Sequence, residues 1–264
     1  MGYNQLSKGT VFAKRLIGDI RGNQRTTQYD KYVYETFNAK PITGTKAAIH
    51  TPATGTDGDE NVLFTDRNAF EYHIIGSQSI LEPAWAATGL DIGFDQANDE
   101  GVEITSGGIV ARGRNIFTVG TDTAFFLSVT FSIAVVAGTD DCAVGFRKVE
   151  AYQAALDSYD EFACLNVISG NITQETMLNG DSTITTDTTN DWADAASKTL
   201  TVRVSSAGVV TFAIDGTEPT TVTAYTFDDT EVVTPFMYLI NASGSQAGAV
   251  LVTAWECGYA GAAI

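Results

Sequence analysis

The clearest pattern in the chain is a strict alternation over residues 125–136. Phe125, Leu127, Val129, Phe131, Ile133 and Val135 fall on one side, and Ser128, Thr130, Ser132 and Ala134 on the other. A period of two over a dozen residues predicts a strand with one buried face. Val144 and Phe146 continue the pattern on a following strand, and 162–168 reads as another. A hairpin comes next. Leu200, Val202 and Val204 alternate with Thr201 and Arg203, Ser205 to Gly208 supply a turn, and Val210, Phe212 and Ile214 return. Asp215-Gly216 closes that second strand with a tight-turn pair. Further strands are expected at 62–64, 70–75, 222–227, 236–240 and 250–257. Only 149–156 has helical character, and it is short. Regular strands divided by turn signals predict an all-β sandwich or jelly roll.

The first part of the chain breaks this pattern. Residues 1–46 have no clean period and mix bases, Gly, Asn and Gln with Tyr3, Phe12, Tyr29, Tyr32, Tyr34 and Phe37. A disordered tail carries fewer aromatics, so an extended arm that orders against a large partner is one expectation. The other is that Tyr32, Tyr34 and Phe37 form an edge strand of the domain itself. Pro52, Gly55, Asp57, Gly58 and Asp59 read as a loop between arm and body. The expected division is a basic arm over 1–50 and a sandwich domain over 51–264.

Charge sharpens that division. The whole chain carries −17 over 264 residues. Residues 1–46 hold eight bases against three acids, a net of +5, and the remainder holds seven bases against 29 acids, a net of −22. An acidic body repels nucleic acid. The bases of the arm are dispersed rather than clustered, so a nucleic-acid partner is not expected. The N-terminus has no apolar core of a secretory signal, and no stretch approaches the run of ~20 apolar residues that spans a bilayer. Synthesis in a cytoplasm, no membrane partner and reduced Cys142, Cys164 and Cys257 are therefore expected.

Catalytic chemistry has few carriers here. His50 and His73 are the only histidines, one in the linker and one in an apparent strand. There is no Gly-x-Ser-x-Gly elbow for a serine hydrolase. No glutamate is followed two residues later by aspartate, so the Glu-x-Asp-x-x-Glu strand of many jelly-roll glycosidases is absent. Asp57 to Asn61 lacks the full calcium-loop spacing, and the Asp140-Asp141 pair is the other weighed calcium position. Three separated cysteines and two distant histidines give no zinc-ligand spacing, so zinc is not expected. The expectation is a protein that is not an enzyme and holds no metal or cofactor. Of Trp85, Trp192 and Trp255, only Trp192, after the polar run 186–191, is a candidate for stacking on a glycan; packing is the competing role.

The segment Leu200 to Gly216, with Tyr225-Thr-Phe227, Thr234-Pro-Phe236 and the closing Val250 to Tyr259, resembles the concanavalin A-like or laminin G-like jelly rolls of tailed, mostly marine, bacteriophage virions. The likeness spans roughly residues 62–259. It implies a jelly-roll body serving as capsid decoration, as a fibre module or as a glycan-binding face. The expected role is a cement protein on the outer capsid surface, bridging capsomers through the arm. Lys8, Lys14, Arg15, Arg21, Arg25, Tyr29, Lys31, Tyr32, Tyr34 and Phe37 would dock on the major capsid protein. A homo-oligomer, a trimer above all, is expected from sheet edges that need covering. The alternative is a tail or head fibre module that binds host surface glycans.

Overall fold

The computed structural model describes residues 31–37, 60–65, 68–76, 83–86, 88–93, 96–106 and 115–260. Two antiparallel sheets face one another. The smaller sheet is made of β1 (Val33–Glu35), β4 (Ala84–Ala86), β5 (Gly89–Asp91), β8 (Phe125–Ile133), β13 (Ser197–Val204), β14 (Val210–Ile214) and β16 (Val250–Tyr259). Its order is β14-β13-β8-β16-β5-β4, with β1 also on β16. The larger sheet is made of β2 (Glu60–Phe64), β3 (Ala69–Ile75), β6 (Gly101–Thr105), β7 (Phe117–Thr118), β9 (Thr139–Lys148), β10 (Phe162–Ile168), β11 (Asn171–Met177), β12 (Ile184–Asp191) and β15 (Val232–Asn241). Its order is β12-β11-β10-β9-β15-β6-β3-β2, with β7 also on β15.

The alternating strand is the centre of the smaller sheet. Phe125, Leu127, Val129, Phe131 and Ile133 of β8 have no exposed surface, and each such burial contributes about 1.5–3 kcal/mol. Ser128, Thr130 and Ser132 face outward, and two of them bond to β13 hydroxyls, Ser128 to Thr201 at 3.0 Å and Thr130 to Thr199 at 2.8 Å. The strand ends at Ile133, two residues sooner than the alternation, because Val136–Gly138 turns as a 3-10 segment and leaves Val135 exposed. From the larger sheet, Val144 and Phe146 of β9, Leu165 and Val167 of β10 and Met237 and Leu239 of β15 complete the same core.

The hairpin forms in the expected register, with Leu200 opposite Ile214 and Val204 opposite Val210. Asp215 and Gly216 both have positive φ, 51° and 79°, the signature of the tight turn expected there. Three expectations are corrected. Residues 149–156 form no helix; the β9–β10 loop holds only a short 3-10 turn at Leu156–Ser158. The polar run 186–191 is the greater part of β12, not a loop. Residues 222–227 are not a ladder strand but a strap held at one isolated bridge, Val209 to Thr226.

Candidate functional site

A second, smaller apolar cluster lies on the outer face of the larger sheet. Phe162, Cys164, Met177, Phe236 and Tyr238 form it, under Leu156 and Tyr159 of the β9–β10 loop. Register explains why these residues share a face: Phe236 pairs with Gly145, Gly145 with Cys164, and Phe162 with Met177. Beneath the loop, Arg147 Nε donates to Glu103 Oε1 at 2.6 Å, with both side chains wholly buried. The Tyr159 hydroxyl donates to the other Glu103 oxygen, and the guanidinium lies 4.3 Å from the centre of the Tyr159 ring. Burial works against the Arg147 charge, but Glu103 outweighs it and its pKa is raised. The Tyr238 hydroxyl pins the loop through the Ala154 carbonyl at 2.7 Å. His73 is buried and stacks on Tyr152 at 5.4 Å.

Beside the loop the same face becomes polar. Asn166 of β10 is wholly buried, and its amide nitrogen donates to Asp141 Oδ1 at 2.5 Å and to Glu175 Oε2 at 2.9 Å. Its orientation is fixed because its oxygen accepts the Cys142 amide at 2.8 Å. One side chain from β10 thus clamps a carboxylate from each neighbouring strand, β9 and β11. Thr185 of β12 donates to the second Glu175 oxygen at 3.2 Å. Asp187 pairs with Thr173 on the same face and is exposed, as are Asp140 and Asp157. Burial pushes the Asp141 pKa up to about 6; the Asn166 hydrogen bond opposes this, and Glu175, Asp140 and Asp157 add to it.

This patch can do two things chemically. Its carboxylates and threonine hydroxyls form an array of hydrogen-bond acceptors held rigidly by strands, suited to a ligand rich in hydroxyl groups. A carboxyl with a pKa near 6 can also change protonation close to neutrality, a property that concentrates at functional sites. Among the described residues no group of three or more His, Cys, Asp or Glu side chains is placed to hold a metal ion.

The residues singled out in the sequence fall elsewhere. Trp192 is 2% exposed, lies 4.5 Å from Phe131 and donates its Nε1 to the Ala196 carbonyl at 3.0 Å. It packs in the core and presents no face to a sugar, because the preceding residues are strand rather than loop. Trp255 is also core, edge-on to Phe70 at 5.5 Å. Lys8, Lys14, Arg15, Arg21, Arg25 and Tyr29 lie outside the described residues. The last four docking candidates lie in or beside β1, which pairs with β16, and for Tyr32, Tyr34 and Phe37 this is the edge-strand alternative. Lys31 bonds Asp122 at 2.7 Å. Tyr32 donates to Glu256 at 2.8 Å. Phe37 is buried 5.6 Å from Phe70, whereas Tyr34 is 45% exposed on the outer face of the smaller sheet. The sandwich therefore includes residues before position 50. Asp141 was visible in the sequence as half of the Asp140-Asp141 pair, but Asn166 and Glu175 carried no signal. Only strand register brings them beside it.

No protein-family model matches the chain, and no curated protein matches it. Solved structures do. The potassium-bound carbohydrate recognition domain of Emp46p aligns over 78% of this chain and 97% of its own, with 7% identity and a TM-score of 0.51. The carbohydrate recognition domain of Emp47p aligns over 87% and 95%, with 10% identity and a TM-score of 0.48. A Bacillus licheniformis β-glucanase aligns over 87% and 98%, with 13% identity and a TM-score of 0.46. At such identities the likeness is one of fold, and the fold is a concanavalin A-like jelly roll.

Proposed function

We propose that the chain is a glycan-binding jelly-roll module and that its ligand lies on the Asp141–Asn166–Glu175 patch. The observation that carries this reading is the buried Asn166 amide holding two carboxylates on the outer face of the larger sheet. A clamp of this kind fixes acceptor directions before the ligand arrives, which lowers the ordering cost of binding. The Emp46p domain that shares the fold is a carbohydrate recognition domain, which supports the same reading. In this proposal the module binds without cleaving. The test is a glycan array followed by calorimetry on the best ligand. Asp141→Ala and Glu175→Ala should each weaken binding about tenfold or more, as expected for lost charge-assisted hydrogen bonds, with unchanged far-UV circular dichroism. An array with no ligand, or a ligand bound equally by both variants, overturns the reading. Release of reducing ends that disappears in the Asp141 variant would make the protein a hydrolase instead.

The charge division favours a second reading, a decoration protein on the outer capsid of a tailed bacteriophage, with the major capsid protein as partner and a trimer as the assembly. Residues 1–46 carry +5 against −22 on the remainder. With Lys31 to Phe37 engaged in the sandwich, the docking segment reduces to residues 1–30. Deleting residues 1–28 should then leave a folded body that no longer co-sediments with expanded capsids. Unchanged co-sedimentation removes this reading and leaves the glycan site untouched.

A further inference from the structure

Residues 222–228 tie the two sheets together along one side of the sandwich. Gln174 of β11 grips Thr223 reciprocally: its amide donates to the Thr223 carbonyl at 2.6 Å, and its oxygen accepts the Thr223 amide at 2.7 Å. Next to β14, the Val210 amide donates to the Tyr225 carbonyl at 3.0 Å, and the Phe227 amide donates to the Gly208 carbonyl at 3.0 Å. Gly208 makes that approach possible: at φ 82°, a Cβ there would lie 2.4 Å from the Phe227 carbonyl oxygen. The Tyr225 and Phe227 rings are buried and meet edge-on at 5.1 Å.

The far end of the strap is fastened to Glu161, just before β10. Glu161 Oε1 accepts the Asp228 amide at 3.2 Å and the Tyr225 hydroxyl at 3.3 Å. The single Tyr225 hydroxyl hydrogen is shared with the Met177 carbonyl, the nearer acceptor at 2.7 Å. Glu161 is wholly buried, and among the described residues its second oxygen has no hydrogen-bond partner. The charged groups around it are mostly of its own sign. Asp228 and Glu231 approach from the segment before β15, and Asp160 precedes Glu161 in the chain, its amide donating to Glu150 at 2.7 Å. Among the described residues the cation that acts on Glu161 is Lys148 at the end of β9, and it is engaged by Asp160 at 2.6 Å and Glu231 at 3.6 Å. An ionised Glu161 would therefore be a buried charge without a cation of its own, beside like charges, which is costly.

From this geometry we infer that Glu161 is a pH-operated latch: with its carboxyl neutral it holds the 222–228 strap closed, and on ionisation it releases the Asp228 end of the strap. Burial, assisted by Glu231 and Asp228 and opposed by the Asp228 amide and the Tyr225 hydroxyl, raises the Glu161 pKa to about 7. The latch is thus fully closed below the ordinary glutamate value of 4.5 and loosens progressively as pH rises to about 7. Release would uncover Tyr225, Phe227 and the outer edge of β14, a strand edge able to pair with another chain.

Amide hydrogen exchange tests the latch. The readout is protection at Val210, Phe227 and Asp228, corrected for intrinsic rate and compared with amides of β8. In the native chain, protection at these three sites should fall by up to about tenfold for each pH unit between the ordinary glutamate value of 4.5 and about 7, and level off above it, while β8 stays unchanged. Glu161→Gln cannot ionise, so its strap protection should be high and flat with pH. Asp228→Asn removes a like charge and should move the midpoint to lower pH. Strap protection that is independent of pH in the native chain, or a pH dependence that survives in Glu161→Gln, overturns the latch. Should Glu161→Gln not fold, a carboxyl-carbon NMR titration of the native chain decides. A Glu161 midpoint in the ordinary carboxylate range defeats the proposal, and one near neutrality that tracks the strap signals supports it.

Discussion

At the scale of single residues, the positions that matter most are polar groups buried with a partner. Glu103 binds Arg147 and Tyr159 at once, so Glu103→Ala strands a buried guanidinium and a buried hydroxyl. The expected loss is about 3–5 kcal/mol, measured by equilibrium urea unfolding. A paired replacement by apolar residues, Glu103→Met with Arg147→Met, should cost much less, because no charge is left unpaired. Trp192→Ala should also lose about 3–5 kcal/mol, through the cavity it leaves against Phe131. If Trp192→Ala kept its stability but lost glycan affinity, the core placement of Trp192 would be wrong. The three cysteines are buried, and burial pushes each thiol pKa upward. They should react with disulfide reagents only as fast as the protein unfolds.

Elements are held by a few turn residues whose backbone is set locally. At Gly216, φ is 79° and a Cβ would touch nothing within 4 Å. Gly216→Ala therefore isolates the cost of a left-handed backbone in a residue with a side chain, about 1–2 kcal/mol, read as a fall in unfolding midpoint without loss of binding. β12 illustrates the other kind of control. It is an edge strand with Ile184 53% exposed, and its register on β11 slips between Ile172 and Thr173. Thr189 sits there at φ 63°. Such an irregularity bends an edge away from flat pairing with another chain.

For the whole molecule, the unusual feature is the direction of its pH response. Asp141 and Glu161 both have folded pKa values above their ordinary values of 3.8 and 4.5, near 6 and near 7 respectively. The folded chain therefore holds more protons than the unfolded chain through this window. Their contribution to stability is full below about pH 4 and is lost as pH rises through about 6 to 7. The unfolding free energy should rise as pH falls from about 7.5 to about 5, opposite to the trend from carboxylates held in ion pairs. Asp122 belongs to that second kind. Burial acts to raise its pKa, but the Lys31 and Tyr259 hydrogen bonds and the Thr118 amide outweigh it, so its pKa is lowered and its contribution fades only in acid below about pH 4. Unfolding curves at several pH values check the sign, and a monotonic loss of stability from about pH 7.5 to 5 contradicts it.

What the sequence determined by itself is what local pattern can encode. The alternation of β8 and the β13–β14 hairpin appear in the chain as residues that point to one side at period two, bounded by turn residues such as Asp215-Gly216. That pattern is enough to define an all-β sandwich. It misread β12 because threonine, aspartate and asparagine in an edge strand look like a loop when neither face is fully buried. It left Tyr32, Tyr34 and Phe37 open between arm and edge strand, because only pairing with β16, more than 200 residues away, tells the two apart. The polar patch was beyond reach for the same reason. Asp141, Asn166 and Glu175 stand on three strands and share no motif, and their meeting depends on the register of β9, β10 and β11. The Glu161 latch likewise exists only once a strap from residues 222–228 returns across the sandwich. Long-range pairing decides which polar groups are buried together, and burial together is what gives them their chemistry.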